Sequence, residues 1–341
     1  MKRYSYSINP NIAKIESDKD FVPKFPPGES FHDRSARSDA EIMISFDISK
    51  DLHYPTNGLE KFHYFRGSYG KDELYFERPI GMGIKLKMQV KNLLSNPQVT
   101  VNDAYYKFVR LRIGSVFPPG VHLADILVTN LLERMYTPVH CAAISWQQDG
   151  ILLFAPPDTG KTLTTFLALK RGFSYLAEDI AFVDQDHIYA NPYTSSFLHN
   201  KKLVSNNINY RFFYLLKKIP LLSAYARTPE TSISNMIKNV RIEEKARIKN
   251  ILILERGEKG IAEIDSEEAV RKILLINRNE FTYYRNSLLF AYSYFNPSLN
   301  LDKLMKIEAS IINSIVEKRG CSIVRANNPE DYIHFIERSN V

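Results

Sequence analysis

Hydrophobic and polar positions follow one pattern in the first part of the chain and a different one in the rest. Between about residues 40 and 118, short aromatic and β-branched runs are separated by Gly, Asn and Pro, which is typical of strands joined by turns. These runs are EIMISFDI, KFHYFRG, ELYFERP, MGIKLKMQV, PQVTVN and AYYKFVRLRIG. Apolar residues at near-helical spacing then predict a helix over 121–136. We therefore predict a polar lead-in over 1–38, weakly ordered unless it packs against another part of the protein, and a β-rich N-terminal domain over 39–136 that ends in a helix.

From residue 137 to residue 341 the pattern alternates between strands and helices, which indicates an α/β domain. Two apolar runs flank a turn at 147–150 and predict a β-hairpin whose second strand is 151–155. A helix should follow over 161–170 and stop at Gly172. Further strands are predicted in FSYLAEDIAFVD, HIYANP, 249–254 and CSIVRA, and further helices at 266–276, 280–295, 299–318 and 329–336.

Composition and charge narrow the class of protein. Hydrophobic residues make up 44% and charged residues 24% of the chain, as in ordinary globular proteins. No uncharged apolar run approaches the roughly 18 residues that span a bilayer, and the N-terminus lacks the apolar core of a signal peptide. We therefore expect a cytoplasmic protein with no membrane span. The cysteines, Cys141 and Cys321, have neither disulfide-framework nor metal-ligand spacing.

The formal net charge of the protein is +7, and the excess of basic residues is spread along the chain rather than concentrated in one arm. Most of it is therefore interpreted as solvated surface. Nucleotide phosphates or an acidic protein partner would account for the rest of the positive charge as easily as nucleic acid would, so a nucleic-acid partner is not favoured. The sequence leaves open whether the protein forms a homo-oligomer.

The strongest chemical signal is the stretch APPDTGKT, which matches the P-loop pattern G-x-x-x-x-G-K-[ST] with alanine at the first glycine. An apolar strand runs into this stretch and an apolar-striped helix leaves it. Backbone N–H groups at such a helix N-terminus attract phosphate oxygens. We therefore expect ATP, or another nucleoside triphosphate, with Mg²⁺: Lys161 would reach the β and γ phosphates and the Thr162 hydroxyl the metal. The predicted nucleotide-binding residues are Ala155, Pro156, Pro157, Asp158, Thr159, Gly160, Lys161 and Thr162.

Two further features lie on either side of this loop in the sequence. Glu178 and Asp179 form an acidic pair inside apolar sequence, and such a pair is costly to bury unless it has a task. Phosphoryl transfer to a hydroxyl needs a carboxylate for Mg²⁺ and a group that orients or deprotonates the acceptor. His140 opens the strand that should pair with the strand before the loop, where it is either a structural residue or part of the site.

The histidine-led hairpin, the P-loop and the stretch RGFSYLAEDIAFVD together resemble the HPr kinase/phosphorylase superfamily, which shares its nucleotide fold with phosphoenolpyruvate carboxykinase. The resemblance covers about residues 138–190 and continues more loosely through KNILILERGEKGIAEIDSEEAVRKILL. It implies an α/β fold with an HPr-kinase-like P-loop core over 137–341, a β-rich N-terminal region and a helical C-terminal part. It also implies an ATP-dependent kinase that phosphorylates a hydroxyl of a protein, a peptide or a small molecule.

The resemblance implies a role for each matching residue. Lys161 and Thr162 take the P-loop positions, and His140 takes the place of the family's site histidine. Glu178 and Asp179 stand where the family has paired aspartates, one a base for the acceptor hydroxyl and the other on the metal side. We expect Asp179 and Thr162 to be the metal ligands.

A cation that clamps the transferring phosphoryl group is also expected, and Arg256 and Arg227 are its candidates. Three departures from the family pattern change the expected substrate. Ala155 stands in place of the first glycine, Leu163 stands in place of an acidic residue, and Glu178 stands in place of an aspartate. These departures argue against HPr itself as the acceptor and against the reverse phosphorylase reaction. They leave ATP-dependent phosphorylation of another hydroxyl.

Three other functions compete with the kinase. An acceptor-independent ATPase would use the strand 251–255 as a Walker B strand, with Glu255 activating water. A nucleotide-binding regulator or pseudokinase would bind ATP without turnover, and the departures at Ala155 and Glu178 motivate this alternative. Carboxykinase chemistry is the least favoured, because it needs a longer chain and further metal ligands.

Overall fold

A computed structural model describes residues 4–9, 11–18, 40–50, 52–54, 57–110, 123–192, 197 and 233–338. Within these residues the chain forms two mixed β-sheets and the helices that cover them, so the protein is of the α/β type. No helix in this part of the chain is long and apolar enough to cross a membrane. The candidate clamp Arg227 lies outside the described residues.

Eight strands form the first sheet: β1 (Tyr4–Asn9), β2 (Ala13–Ser17), β3 (Ile42–Ser49), β4 (Glu60–Phe62), β5 (Phe65–Gly67), β6 (Glu73–Pro79), β7 (Lys85–Lys91) and β8 (Gln98–Asn102). Their order is β1-β2-β3-β8-β7-β6-β5-β4. Parallel pairing joins β2 to β3 and β3 to β8, and the other neighbours are antiparallel. Alternate residues of β7 are buried (Leu86, Met88 and Val90), so one face of this sheet packs on the core and the other carries polar side chains.

Two parts of the N-terminal region differ from the prediction. The segment predicted as a polar lead-in contains β1 and β2, because its few apolar residues, including Ile12 and Ile15, find partners in the core of the first sheet. The run AYYKFVRLRIG, predicted as a strand, begins instead with helix α1 (Asp103–Arg110). This helix buries Tyr105 and Tyr106, so tertiary packing outweighs the β propensity of the aromatic residues.

The second sheet has nine strands: β9 (Thr137–Val139), β10 (Ala142–Trp146), β11 (Asp149–Phe154), β12 (Ser174–Ala177), β13 (Ala181–Val183), β14 (His187–Tyr189), β15 (Lys245–Glu255), β16 (Gly260–Glu263) and β17 (Ser322–Arg325). The order is β12-β10-β11-β15-β14-β13-β9, with β17 on β15 and β16 on β17. Both β11 and β17 run parallel to β15. The segments that follow β11 and β15 therefore leave the sheet at the same edge.

The remaining helices cover these sheets: α2 (Leu123–Glu133), α3 (Lys161–Lys170), α4 (Ile233–Met236), α5 (Ser266–Glu280), α6 (Ser287–Phe295), α7 (Leu301–Arg319) and α8 (Pro329–Arg338). Helices α3 and α8 bury their apolar residues against one face of the second sheet, and α5 and α7 bury theirs against the other. Helices α2 and α6 share a core with the first sheet. The second sheet is thus the middle of three layers, as expected of a parallel-containing sheet buried on both faces.

The predicted hairpin before the loop is present, but its turn is two residues shorter than the predicted 147–150, so the second strand begins at Asp149 instead of residue 151. Gln147 and Gln148 form the turn, with φ of 53° and 70°, and Asp149 already pairs with Trp146. Positive φ at both central positions matches the strand twist, which is why this turn is favoured although neither residue is glycine. The helix predicted over 161–170 is confirmed as α3, and Gly172 follows it with φ of 95°.

In the C-terminal part, one predicted helix is divided into two. The residues at 280–295 contain the end of α5, a short 3₁₀ turn (Tyr283–Arg285) and α6. Asn286 accepts a hydrogen bond from the Leu288 N–H and so starts α6 as a separate helix. The helices predicted at 266–276, 299–318 and 329–336 and the strand at 249–254 are confirmed within α5, α7, α8 and β15.

Candidate functional site

The loop over 155–160 connects β11 to α3 at the edge of the second sheet. Gly160 precedes α3 with φ of 110°, and the Thr164 N–H donates the first helical hydrogen bond to its carbonyl, 2.9 Å away. The Thr159 hydroxyl donates to the Pro156 carbonyl at 2.8 Å and holds the loop in a compact turn. No side chain caps Gly160, and the first turn of α3 has no acidic residue. The helix N-terminus therefore keeps its attraction for an anion.

The alanine at the start of the loop causes no backbone strain. Ala155 is buried, 1% exposed, and it does not have a positive φ. The positive φ angles of the loop fall on Asp158, at 61°, and on Gly160. Only the second of these positions needs glycine, since Asp tolerates the left-handed region better than most residues. The departure at Ala155 therefore leaves the loop conformation intact.

Lys161, the first residue of α3, meets two of the predicted site residues. Its Nζ lies 3.3 Å from His140 Nε2 and 3.9 Å from Asp179 Oδ1. The Lys161 side chain is 11% exposed and that of Asp179 is 34% exposed, so the ammonium is sheltered and the carboxylate is reachable from solvent. The structure therefore brings Lys161, His140 and Asp179 into one cluster beside the loop.

Glu280, the last residue of α5, also belongs to this cluster, and sequence reasoning missed it. Its Oε2 lies 3.6 Å from His140 Nδ1, and Asp179 Oδ1 lies 3.8 Å from the same nitrogen. Burial, and after it the charge of Asp179, raises the pKa of Glu280 above its ordinary value. No local signal marks this residue, because its approach to the loop depends on how α5 packs on the sheet.

His140 is held as a neutral imidazole. Burial and the nearby Lys161 ammonium lower its pKa to about 4, although Asp179 acts in the opposite direction. The ammonium can only donate, so the neutral ring accepts at Nε2 and carries its proton on Nδ1. The Nδ1–H group then faces the two carboxylates of Asp179 and Glu280. His140 thus orients Lys161 on one side and is adjacent to both acids on the other.

A buried polar network fixes the backbone next to His140. The Asn277 side chain, fully buried on α5, accepts a hydrogen bond from the His140 N–H at 2.9 Å and donates to the Pro138 carbonyl at 3.2 Å. It also donates to Glu308 Oε1 on α7 at 3.0 Å, and the Tyr283 hydroxyl donates to Glu308 Oε2 at 2.7 Å. These contacts fasten the segment that carries His140 to two helices.

The acidic pair of the sequence is divided by the fold. β12 ends at Ala177, and Glu178 is buried, 1% exposed, whereas Asp179 reaches the cluster around Lys161. The two carboxylates that face His140 are therefore Asp179 and Glu280, rather than the adjacent pair in the sequence.

Two further candidates from the sequence lie at the end of β15: Glu255 is its last residue, and Arg256 follows it. The Arg256 guanidinium donates to the main-chain carbonyl of Asp158, so Arg256 lies against the loop, as expected from the parallel pairing of β11 and β15. Glu255 is held by Lys272 at 2.8 Å and by Arg325 at 3.2 Å, and the hydrogen bond from Lys272 lowers its pKa. A carboxylate held in this way is a weak base, which disfavours its use to activate water.

The cysteines are not reactive, and the oxygen ligands available for a metal ion are few. Cys141 and Cys321 are buried free thiols, and burial raises the pKa of each to about 12, so neither is a nucleophile. Among the described residues, no cluster of three His, Cys, Asp or Glu side chains forms a ready-made metal site. Mg²⁺ bound with a nucleotide needs only one or two protein ligands, and Asp179 and Thr162 have the oxygen chemistry for that.

Comparison with known proteins adds little beyond this geometry. No protein-family profile matches the chain, and no curated protein matches it in sequence. Among solved structures, the chain is similar to the Hpr(Ser) kinase/phosphatase from Coxiella burnetii, with a TM-score of 0.20 and 12% sequence identity. The match covers 36% of this chain and 69% of that one. At this score the likeness carries no argument, so function is inferred from the site itself.

Proposed function

We propose that this protein is a kinase that uses ATP and Mg²⁺ to phosphorylate a hydroxyl group of a protein, a peptide or a small molecule. The observation that supports it is the position of Lys161, which follows an uncapped glycine turn at a helix N-terminus and lies within 4 Å of His140 and Asp179. A cation at the phosphates beside a reachable carboxylate is the minimum that phosphoryl transfer needs.

The loop and the start of α3 would hold the triphosphate. The N–H groups around Gly160 would contact phosphate oxygens, and Lys161 would neutralise the β and γ phosphates. Arg256 would support the loop through the Asp158 carbonyl, which makes it a positioning residue at that contact. His140 would keep the lysine ammonium directed at the phosphates, since it accepts from Nζ and stays neutral.

The two carboxylates that face His140 would divide the remaining tasks. When bound, ATP supplies the phosphoryl group and Mg²⁺ offsets its negative charge. Asp179 and Thr162 are the residues that would hold the metal. Glu280 would take the proton of the acceptor hydroxyl, because a carboxylate with a raised pKa is a better base near neutral pH. Glu178, being buried, would support the chain behind Asp179 rather than touch the acceptor.

The first experiment measures ATP turnover and label transfer from [γ-³²P]ATP with purified protein, with and without lysate of the source organism. Lys161→Ala should lower label transfer by at least about a hundredfold, because it removes the cation at the phosphates. Lys170→Ala is the matched control: it lies at the exposed end of the same helix and should leave transfer unchanged. ADP release without any labelled acceptor would favour an ATPase, and ATP binding without either product would favour a regulator.

The second experiment separates the carboxylates. Glu280→Gln should lower the rate of label transfer by about a hundredfold and leave ATP binding unchanged, since it removes the base but not the phosphate contacts. Asp179→Asn should weaken the Mg²⁺ dependence of ATP binding. Glu267→Gln, on the first turn of the same helix as Glu280, is the control. If Glu178→Gln lowers transfer while Glu280→Gln does not, the base has been assigned to the wrong residue.

A further inference from the structure

A cleft of about 470 Å³ lies on the first sheet, away from the loop and Lys161. Its walls come from β5, β6 and β7 and from the chain at 52–54. Arg66, Tyr75 and Lys87 belong to the strand face opposite the core, because their neighbours in each strand are the buried core residues. The volume is in the range of small-molecule sites, about 300–1,000 Å³.

The described lining of the cleft carries three basic side chains, Arg66, Lys85 and Lys87, and one carboxylate, that of Glu77. Arg66 is half-buried, and in this part of the chain no carboxylate lies within ion-pair distance of it. Lys87 is also half-buried, and its ammonium donates to the main-chain carbonyl of Leu52 at 3.2 Å. By contrast, Lys85 is neutralised by Glu77 at 2.8 Å. Lys87 is also close enough to Glu77 to help lower the pKa of that carboxylate, so one carboxylate serves two lysines and the described lining keeps an excess of positive charge.

Partly burying a cation is unfavourable unless an anion or several hydrogen bonds offset the loss of water. An oxyanion bound between Arg66 and Lys87 would provide this compensation, and the planar guanidinium is suited to two oxygens of one group. Glu77 is held in place by hydrogen bonds from the Lys85 ammonium and the Tyr75 hydroxyl. Burial acts to raise its pKa, but these hydrogen bonds and the charges of Lys85 and Lys87 outweigh it and lower the pKa, so Glu77 stays ionised and offsets only part of the positive charge.

The same cleft has an aromatic wall. The ring of Tyr54 stacks on that of Tyr75, with centroids 5.1 Å apart and planes 18° apart. The Tyr54 hydroxyl donates a hydrogen bond to the Glu73 carboxylate. Burial, together with this hydrogen bond, raises the pKa of Tyr54 to about 12. The tyrosine therefore stays a neutral, apolar surface beside the two cations. A ligand with an oxyanion and a small organic body fits both features.

We propose that this cleft is a second binding site, for a small molecule that carries a phosphate or carboxylate group held by Arg66 and Lys87. The site is separate from the proposed nucleotide loop and does not depend on the kinase activity. Its volume fits a metabolite-sized ligand, and the excess of positive charge on its described lining sets the charge of the ligand to negative.

The test measures binding of inorganic phosphate and of malonate to the full chain by titration calorimetry. Lys161→Ala is used as the background, so that phosphate held at the loop does not contribute. We expect binding in the millimolar range for at least one anion. Arg66→Gln and Lys87→Gln should each weaken it about tenfold or more, as expected for hydrogen bonds between charged groups. Lys91→Gln is the control, since this lysine lies on the same strand face and is paired with Glu73.

Phosphate and malonate distinguish whether the ligand carries a phosphate group or a carboxylate group. Binding of phosphate that Arg66→Gln weakens indicates a phosphorylated ligand, and the same result with malonate alone indicates a carboxylate. No binding of either anion, or equal loss in the Lys91→Gln control, would overturn the proposal. Circular dichroism checks that each variant is folded, and Arg66→Lys, which keeps the charge but not the planar group, should retain part of the affinity.

Discussion

Asn277 provides the sharpest test of how the site is held together. Replacing it by alanine removes its hydrogen bonds to the His140 N–H, the Pro138 carbonyl and Glu308. The side chain is 0% exposed, so water does not replace these bonds without opening the core. Glu308 keeps its bond from Tyr283, and the other two groups lose a buried partner.

The magnitude follows from the cost of buried groups without partners, which is about 1–3 kcal/mol each. With two such groups and a weakened third, the free energy of unfolding should fall by about 3 kcal/mol. If the free energy of unfolding falls by about 3 kcal/mol for each molar increase in urea, the urea concentration at the unfolding midpoint should fall by about 1 M.

Urea unfolding followed by tryptophan fluorescence measures this directly. The protein has a single tryptophan, Trp146, which lies in β10 of the same sheet and contacts Phe173, with ring centroids 5.2 Å apart. Asn279→Ala is the matched control, because it makes the same deletion at an exposed position of the same helix and should change stability by less than about 0.5 kcal/mol. Equal midpoints for the two variants would refute the role of the network.

Two further predictions concern the same sheet. His140 has a folded pKa of about 4 against 6.5 in the unfolded chain, so between these values the unfolded state binds more protons and stability rises with pH. His140→Gln should therefore lose less stability than the wild type when urea unfolding is repeated at pH 5 instead of pH 7, and equal losses would contradict the pKa shift. Gly150→Ala places its Cβ 3.0 Å from the Arg247 carbonyl and 2.6 Å from Ile188 Cδ1, and should lower stability by about 1–3 kcal/mol. Gly260→Ala, with nothing within 4 Å of its Cβ, should have a much smaller effect when both variants are unfolded in urea, and a reversed order would count against the packing around β11.

Local patterns predicted the elements around the loop well. The strand before it, the helix over 161–170 and the glycine stop at Gly172 are each carried by nearby residues, and the structure has all three. The hairpin turn was predicted two residues too long, because Gln147 and Gln148 adopt positive φ without the glycine that usually signals a two-residue turn. The run after β8 was predicted as a strand, because aromatic residues favour strands until packing decides otherwise.

The fold brings together only some of the residues that the sequence marks as site candidates. Lys161, His140 and Asp179 were chosen from motif and spacing, and the fold brings them together. Glu178 was chosen with equal weight, but the end of β12 leaves it buried while its neighbour reaches the cluster. Glu280 is not among the sequence candidates, since it is distant in the sequence and the helix predicted over 266–276 ends before it, whereas in the structure that helix runs on to Glu280.

The sequence alone therefore determined where the chain turns from strand to loop to helix, and which residue types stand at that loop. These features depend on hydrogen bonds and packing within a few neighbouring residues. Only the tertiary structure decided which carboxylates face His140 and which charged side chains line the cleft on the first sheet. Those properties depend on burial and on distances between elements far apart in the chain, and no local pattern encodes them.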